Sequence, residues 1–298
     1  MILGCRDKAR GVAAQTALNA SEGAHPGVVV VWELDLASFD SVRDFGRRAV
    51  RELPRLDVVV EGAAIYSPHY EACEQKESAS VYERQLTVNV LSTFLLALLL
   101  LPLLQRTAAA TNRSGGTPLP HLVILASNAH HYPPFPEREA DVVFEALRGD
   151  SNMRMRYHTT KLLVVLATRE LASRLKGRDA GQEGDKKERR QQQVIVNFLD
   201  TGLCRTALFR EESWPMSWLV GAAMWLVGRT AEMGSRIILW AAAAGPETHG
   251  RYIEDCAISL ESVFVRSNEG KTVQKRVWAE LMSILERIEP GVTSIVVS

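Results

Sequence analysis

Apolar runs alternate with amphipathic and polar stretches along almost the whole chain. Val28–Glu33 (VVVVWE) is continuous and β-branched, and Leu56–Val60, His121–Ala126 and Val194–Phe198 repeat the pattern in shorter form. A strand apolar at every position is buried on both faces, as in a parallel sheet. Met1–Cys5 predicts a further short strand, leading into a helix over Asp7–Asn19. Asp40–Glu52 predicts an amphipathic helix with Val42, Phe45, Ala49 and Val50 on its apolar side and Pro54 beyond its end. Further helices are predicted over Val81–Leu104, Arg156–Leu175, Glu232–Ala244 and Glu269–Ile288, with a short strand at Gly250–Ile253. Strands alternating with helices define an α/β fold, a doubly wound parallel sheet in one domain. Neither an internal repeat nor a linker divides the chain. Lys176–Gln193 has almost no apolar content and predicts a solvated surface loop.

The composition narrows the classes of function. With 298 residues, 46% hydrophobic and 23% charged, the chain can bury a sizeable core. Lys+Arg and Asp+Glu balance at 35 each, so no global field favours nucleic acid. The four cysteines are widely spaced, which argues for reduced thiols and a cytoplasmic setting. Two apolar stretches, Val90–Leu104 and Trp214–Val227, fall short of the ~20 residues that cross a bilayer. They predict a buried helix and an amphipathic or lid segment, so no integral membrane span is expected.

Candidate chemistry centres on Tyr157-His158-Thr159-Thr160-Lys161, which sets a phenol and an ammonium on one helix face. A nearby cation favours a phenolate, and a tyrosine tuned this way can exchange a proton with a substrate oxygen. The plainer alternative is an exposed i,i+4 pair. Ser127 follows the apolar strand His121–Ala126, at the carboxyl end where open α/β sheets hold ligands. Its hydroxyl could donate to a carbonyl oxygen. Asn89 is a polar residue beside a strongly apolar run, and alone reads as a helix residue bonded to backbone. A serine hydrolase built on Ser127 with His130 and His131 lacks a G-x-S-x-G elbow. A metal site at those histidines lacks carboxylates at ligand spacing.

These residues stand in the order of a known family. The chain resembles the short-chain dehydrogenase/reductases, and among them the retinol-dehydrogenase-like branch with many fungal members. ILGCRD resembles the end of the family's second strand and its cofactor turn, and LDLAS (Leu34–Ser38) the acidic turn after the third. VNV (Val88–Val90) resembles the helix asparagine motif, VILAS the strand serine, YHTTK the tyrosine–lysine motif and TGLCRT (Thr201–Thr206) the P-G-x-x-x-T segment. The resemblance implies Tyr157 as general acid/base, Lys161 on the nicotinamide ribose, Ser127 on the substrate carbonyl and Asn89 behind a relay water. It implies Arg6 at an adenosine 2′-phosphate, favouring NADP, with Asp35 at the adenine and Leu203 and Thr206 at the carboxamide. It also implies a substrate lid over residues 206–230, rich in tryptophan (Trp214, Trp218, Trp225), a C-terminal helix over 269–289 and a small-molecule substrate. That substrate is expected to be bulky and apolar, as in fungal secondary metabolism. The oligomeric state stays open, a homo-oligomer being one expectation.

The chain also departs from the pattern. The family opens with a strand and a T-G-x-x-x-G-x-G turn that binds pyrophosphate, whereas the resemblance here starts at the second strand. A βα unit of roughly 30 residues is expected to be missing, leaving an N-terminally truncated sheet with two exposed strand edges. An upstream exon omitted from the sequence, or a shortened natural chain, would each account for this. Glu61-Gly62-Ala63-Ala64 stands where the family shows N-A-G, and Thr201 replaces a proline. The expected function is NADP(H)-dependent carbonyl/alcohol oxidoreduction. The alternative is a catalytically impaired homologue acting as a binding or scaffold protein.

Overall fold

A computed structural model of the chain describes residues 1–20, 29–75, 78–114, 118–181 and 194–296. Strand β1 (Ile2–Cys5) leads into helix α1 (Lys8–Asn19), whose N-terminus is capped by the Asp7 carboxylate. Strand β2 (Val30–Glu33) runs parallel to β1, and helix α2 (Phe39–Glu52) follows with Ser38 as its cap. Strand β3 is Val58–Glu61. The expected strand start at Val28 lies outside the described residues.

The helix expected from Val81 begins three residues later. β4 (Ala72–Gln75) and β5 (Ser78–Glu83) form an antiparallel hairpin that sequence reading did not anticipate. Glu83 ends it, because its carboxylate accepts hydrogen bonds from the Gln85 and Leu86 amides and so starts the helix. That helix, α3 (84–114), widens into a π-helical stretch over Thr87–Ser92 and continues as α helix over Thr93–Ser114. It is long and apolar enough to cross a membrane, yet 89% of its most apolar window is buried inside the protein, so it is a core helix.

Strand β6 (His121–Leu125) and helix α4 (Met153–Gly181) come next. α4 runs past the expected end at Leu175, so Lys176 is helical, and the rest of the expected surface loop (182–193) lies outside the described residues. Arg174 pairs with Glu170 at 2.9 Å, an i,i+4 contact that supports the helix where it leaves the core. The remaining strands and longer helices are β7 (Ile195–Leu199), α5 (Met216–Val227), α6 (Ala231–Ala243), β8 (Tyr252–Glu254), β9 (Ala257–Ser259) and α7 (Asn268–Ile288).

Strands β3, β6, β7 and β8 form a parallel sheet in that order, with β9 antiparallel at its edge. Alternation along the strands feeds two cores. Leu122, Ile124, Val196 and Phe198 join the main cluster with α3, α4 and α7, whereas Val123, Leu199 and Ile253 pack with Ile237 and Ala241 of α6 on the other face. This is the doubly wound α/β fold of the sequence reading. β1 and β2 make a separate two-stranded sheet. Between β1 and β3 lies a cleft of about 870 Å³, lined by residues including Ile2, Gly4, Val58, Val60 and Glu61.

Helix α5 differs from every other long element, since none of its residues is buried. Trp218, Trp225 and Leu226 are 67%, 73% and 69% exposed. Core and surface apolar residues should therefore respond differently to truncation. Leu95→Ala, at a fully buried α3 position, is expected to cost ~2–5 kcal/mol in urea unfolding. Leu226→Ala is expected to stay within about 0.5 kcal/mol; equal losses would contradict this assignment of the core.

Candidate active site

The carboxyl ends of β6 and β7 carry Ser127 and Asp200, and α4 passes beside them with Tyr157 and Lys161. Tyr157 is buried at 6% exposure and hydrogen-bonded to the Ser127 side chain. The Ser127 hydroxyl also accepts from the Ala129 amide at 3.2 Å, which fixes it at the start of a short 3₁₀ turn. Lys161 is 3% exposed, and its Nζ donates to the Leu125 carbonyl at 2.7 Å, 5.8 Å from the centre of the Tyr157 ring. The structure therefore brings Tyr157, Lys161 and Ser127 together in one cluster.

The electrostatics differ from expectation. Burial pushes the Tyr157 phenol up to about 12; the Ser127 hydrogen bond opposes this and the Asp200 charge adds to it. The lysine turns its ammonium to the Leu125 carbonyl, and the expected lowering of the phenol does not arise. Burial brings Lys161 down to about 8, against the opposing pull of Asp200. A phenol in this state holds its proton at neutral pH and can release it only to a base as strong as a developing alkoxide.

Asn89 lies in the π-helical stretch of α3 and clasps the loop after β3. Its Oδ1 accepts from the Ile65 amide, and its Nδ2 donates to the Ile65 carbonyl, both at 2.9 Å. The same Nδ2 reaches Thr160 Oγ1 at 3.1 Å, one residue from Lys161. Arg6 and Asp35 follow the carboxyl ends of β1 and β2, which the Leu34 amide joins by donating to the Cys5 carbonyl at 3.1 Å. The Asp35 carboxylate accepts from the Ala37 amide at 2.9 Å. Leu203 and Thr206 are exposed in the segment after β7, beyond Gly202 at a φ of 76°.

Two side chains near Tyr157, Asp200 and Tyr66, escaped sequence reading. Asp200 is buried, and burial raises its carboxyl, while backbone hydrogen bonds from Gly202 and Asn128 and the Lys161 charge oppose that rise. An acidic residue ending an otherwise apolar strand was the signal available. Tyr66 sits edge-on to Tyr157, with centroids 5.9 Å apart, and 5.1 Å from Phe209. Its hydroxyl donates to the Glu212 carboxylate. That pair joins residues 146 positions apart, so local sequence gave no hint of it.

His130 serves structure. His130 Nδ1 donates to the Ser127 carbonyl at 2.6 Å, and its Nε2 accepts from the Ser262 amide at 3.1 Å. Both ring nitrogens are engaged by backbone, so this ring is no base for the Ser127 hydroxyl. Among the described residues no group of three or more His, Cys, Asp or Glu could hold a metal ion.

Comparison with known proteins gives the class. The short chain dehydrogenase family model matches residues 2–129. The short chain dehydrogenase/reductase dmxR8 of Cryptosporiopsis sp. is 34% identical over 300 residues, covering 99% of this chain and 85% of the relative. The short chain dehydrogenase atnD of Emericella nidulans is 37% identical over 258 residues, covering 86% and 75%. Among solved structures, the Pseudomonas aeruginosa RhlG/NADP complex has a TM-score of 0.55 at 23% identity, covering 85% of this chain and 84% of that one. The carbonyl reductase Sniffer of D. melanogaster has a TM-score of 0.54 at 16% identity, covering 87% and 86%. At those identities the solved structures share the fold. The chain belongs to the short-chain dehydrogenase/reductase family, and its class is that of the oxidoreductases.

Two expectations follow from the buried groups. Burial takes His130 down to about 4 from 6.5, so between those values the unfolded chain binds more protons than the native one. Stability from this group is whole above pH 6.5 and falls away toward pH 4, by up to ~3 kcal/mol. His130→Gln should flatten that slope in acid unfolding followed by circular dichroism, and an unchanged slope would remove His130 as its source. For Lys161 the burial cost is full below about pH 8 and is relieved as pH rises toward 10.5. Lys161→Met should therefore raise stability at pH 7 by ~1–3 kcal/mol, and a loss of that size would mean the bond to Leu125 outweighs burial.

Proposed function

We propose that the chain is an NADP(H)-dependent oxidoreductase that interconverts a carbonyl and an alcohol on a bulky apolar small molecule. The observation that carries this reading is the buried Tyr157 phenol, bonded to the Ser127 hydroxyl and backed by Lys161 at the carboxyl ends of β6 and β7. Tyr157 Oη delivers a proton to the substrate oxygen, and Ser127 Oγ donates a hydrogen bond to the same atom as its negative charge grows. The phenol is protonated at neutral pH, so the resting site is poised to reduce a carbonyl. Asn89 keeps the Ile65 loop and Thr160 in register behind this pair; the relay water is part of the proposal.

The residues present fit the two ends of a nicotinamide dinucleotide. Lys161 and Tyr157 would hold the nicotinamide ribose, with Leu203 and Thr206 along the carboxamide. Arg6, exposed at the end of β1, would meet an adenosine 2′-phosphate, and Asp35 the adenine. The cofactor supplies the hydride equivalent. Tyr66 and Phe209 form an aromatic wall beside Tyr157, and the exposed tryptophans of residues 206–230 supply apolar cover for the substrate.

The test joins binding to turnover. NADPH titrated into the purified protein, followed by nicotinamide fluorescence, is expected to saturate, and aromatic ketones are expected to oxidise it. Tyr157→Phe should lower kcat by about 10²–10⁴-fold while cofactor affinity stays within about threefold. Retained turnover in that variant would remove Tyr157 as the proton donor. Saturation without turnover against any carbonyl would instead favour a homologue acting by binding.

A further inference from the structure

A second cavity, of about 520 Å³, opens at the other end of the sheet from Ser127 and Asp200. It lies where α4, the turn before β8 and the start of α7 meet. Five cations line it: Arg169, Lys176, Arg251, Arg266 and Lys271. The one carboxylate in its lining is Glu261, which Arg169 engages at 2.7 Å. Arg266 spends its Nε on the Glu261 carbonyl at 2.9 Å, which leaves its two terminal amines free of that bond. Among the described residues, the side chains of Lys176, Arg251 and Lys271 have neither an ion pair nor a hydrogen bond.

This concentration is local. Across the whole chain the charges cancel, 35 against 35, so four uncompensated cations around one concavity are not a general basic surface. Like charges held close repel, and walls of low dielectric focus their field into the opening. The walls of the cavity are tied down by hydrogen bonds. His249 Nε2 donates to the Ala172 carbonyl at 2.9 Å, and its Nδ1 accepts from the Val196 amide at 3.3 Å. Gly250, at a φ of 71°, donates its amide to the Val196 carbonyl at 2.7 Å, with Ala172 packed where a side chain would stand. Gln274 accepts from Arg169 Nε at 3.2 Å and donates to Glu170 at 2.8 Å, so the Arg169 guanidinium is oriented before any ligand arrives.

From this geometry we infer an anion-binding site for a small phosphorylated ligand, seated between Arg251, Arg266, Lys176 and Lys271. Guanidinium forks match phosphate oxygens in pairs, and the lysines add point charges around them. The cavity suits a small molecule carrying two or more negative charges. It is separate from the candidate active site, because Lys176 lies fifteen residues beyond Lys161 on α4, about 22 Å along a helix. The inference holds whether or not the chain turns over a carbonyl.

Inorganic pyrophosphate is the probe. Titrated into the full chain by isothermal calorimetry at low ionic strength, it is expected to bind at one site and raise the melting temperature. Sodium chloride at matched ionic strength should give no such rise. The double substitution Arg251→Ala/Lys271→Ala, at exposed side chains that hold no partner, should weaken pyrophosphate at least about tenfold. Lys275→Ala/Arg287→Ala on the same helix should leave it unchanged. Arg6→Ala should bind pyrophosphate as the parent does, which separates this site from any phosphate site at the end of β1. Parent-like binding in the Arg251/Lys271 variant, loss of binding in Arg6→Ala, or no binding at millimolar pyrophosphate would each overturn the inference.

Discussion

Strands that are apolar on both sides must be covered on both sides, and the rest of this structure depends on meeting that requirement. β6 and β7 direct Leu122, Ile124, Val196 and Phe198 to one face and Val123 and Leu199 to the other. Two long helices, α3 and α4, cover the first face, and α6 covers the second. Once α4 is pinned against β6 and β7, its Tyr157 and Lys161 can only lie near the strand ends that carry Ser127 and Asp200. The polar cluster is thus a consequence of apolar packing. Its precision comes from helices whose buried faces are closely packed and so have little freedom to rotate.

Within that frame the buried charges need partners, and the backbone supplies most of them. Lys161 uses the Leu125 carbonyl, and Asp200 takes hydrogen bonds from the backbone of Gly202 and Asn128. His130 joins Ser127 to Ser262 through two backbone groups, and Asn89 holds Ile65 through two more. A buried polar group left without such a bond is costly. These contacts therefore fix the loops around the strand ends as firmly as the core fixes the strands.

Two regions stand outside this economy of burial. Helix α5 shows its tryptophans to solvent, and the apolar cleft between β1 and β3 interrupts the sheet. In the proposed reading the first is where substrate belongs. The basic cavity beneath β7 and β8 has the same logic in electrostatic form, since four of its five cations lack counter-charges. Surfaces left unsatisfied in an otherwise well-packed protein are where ligands are expected.

The sequence by itself determined the α/β class and most strand and helix positions, and it offered Tyr157, Lys161 and Ser127 as candidates. Periodicity and strand ends are local properties, readable wherever apolar runs stop at polar residues. Local pattern could not reveal the β4–β5 hairpin, since Tyr82 is apolar enough for either a helix or a strand and only the Glu83 cap decides between them. Nor could it reveal that Tyr66 meets Glu212, that Lys161 answers to Leu125, or that burial drives the Tyr157 phenol upward. Those outcomes belong to the tertiary structure, because desolvation and distant pairing depend on which surfaces close over a residue. The residue's own neighbours in sequence do not carry that information.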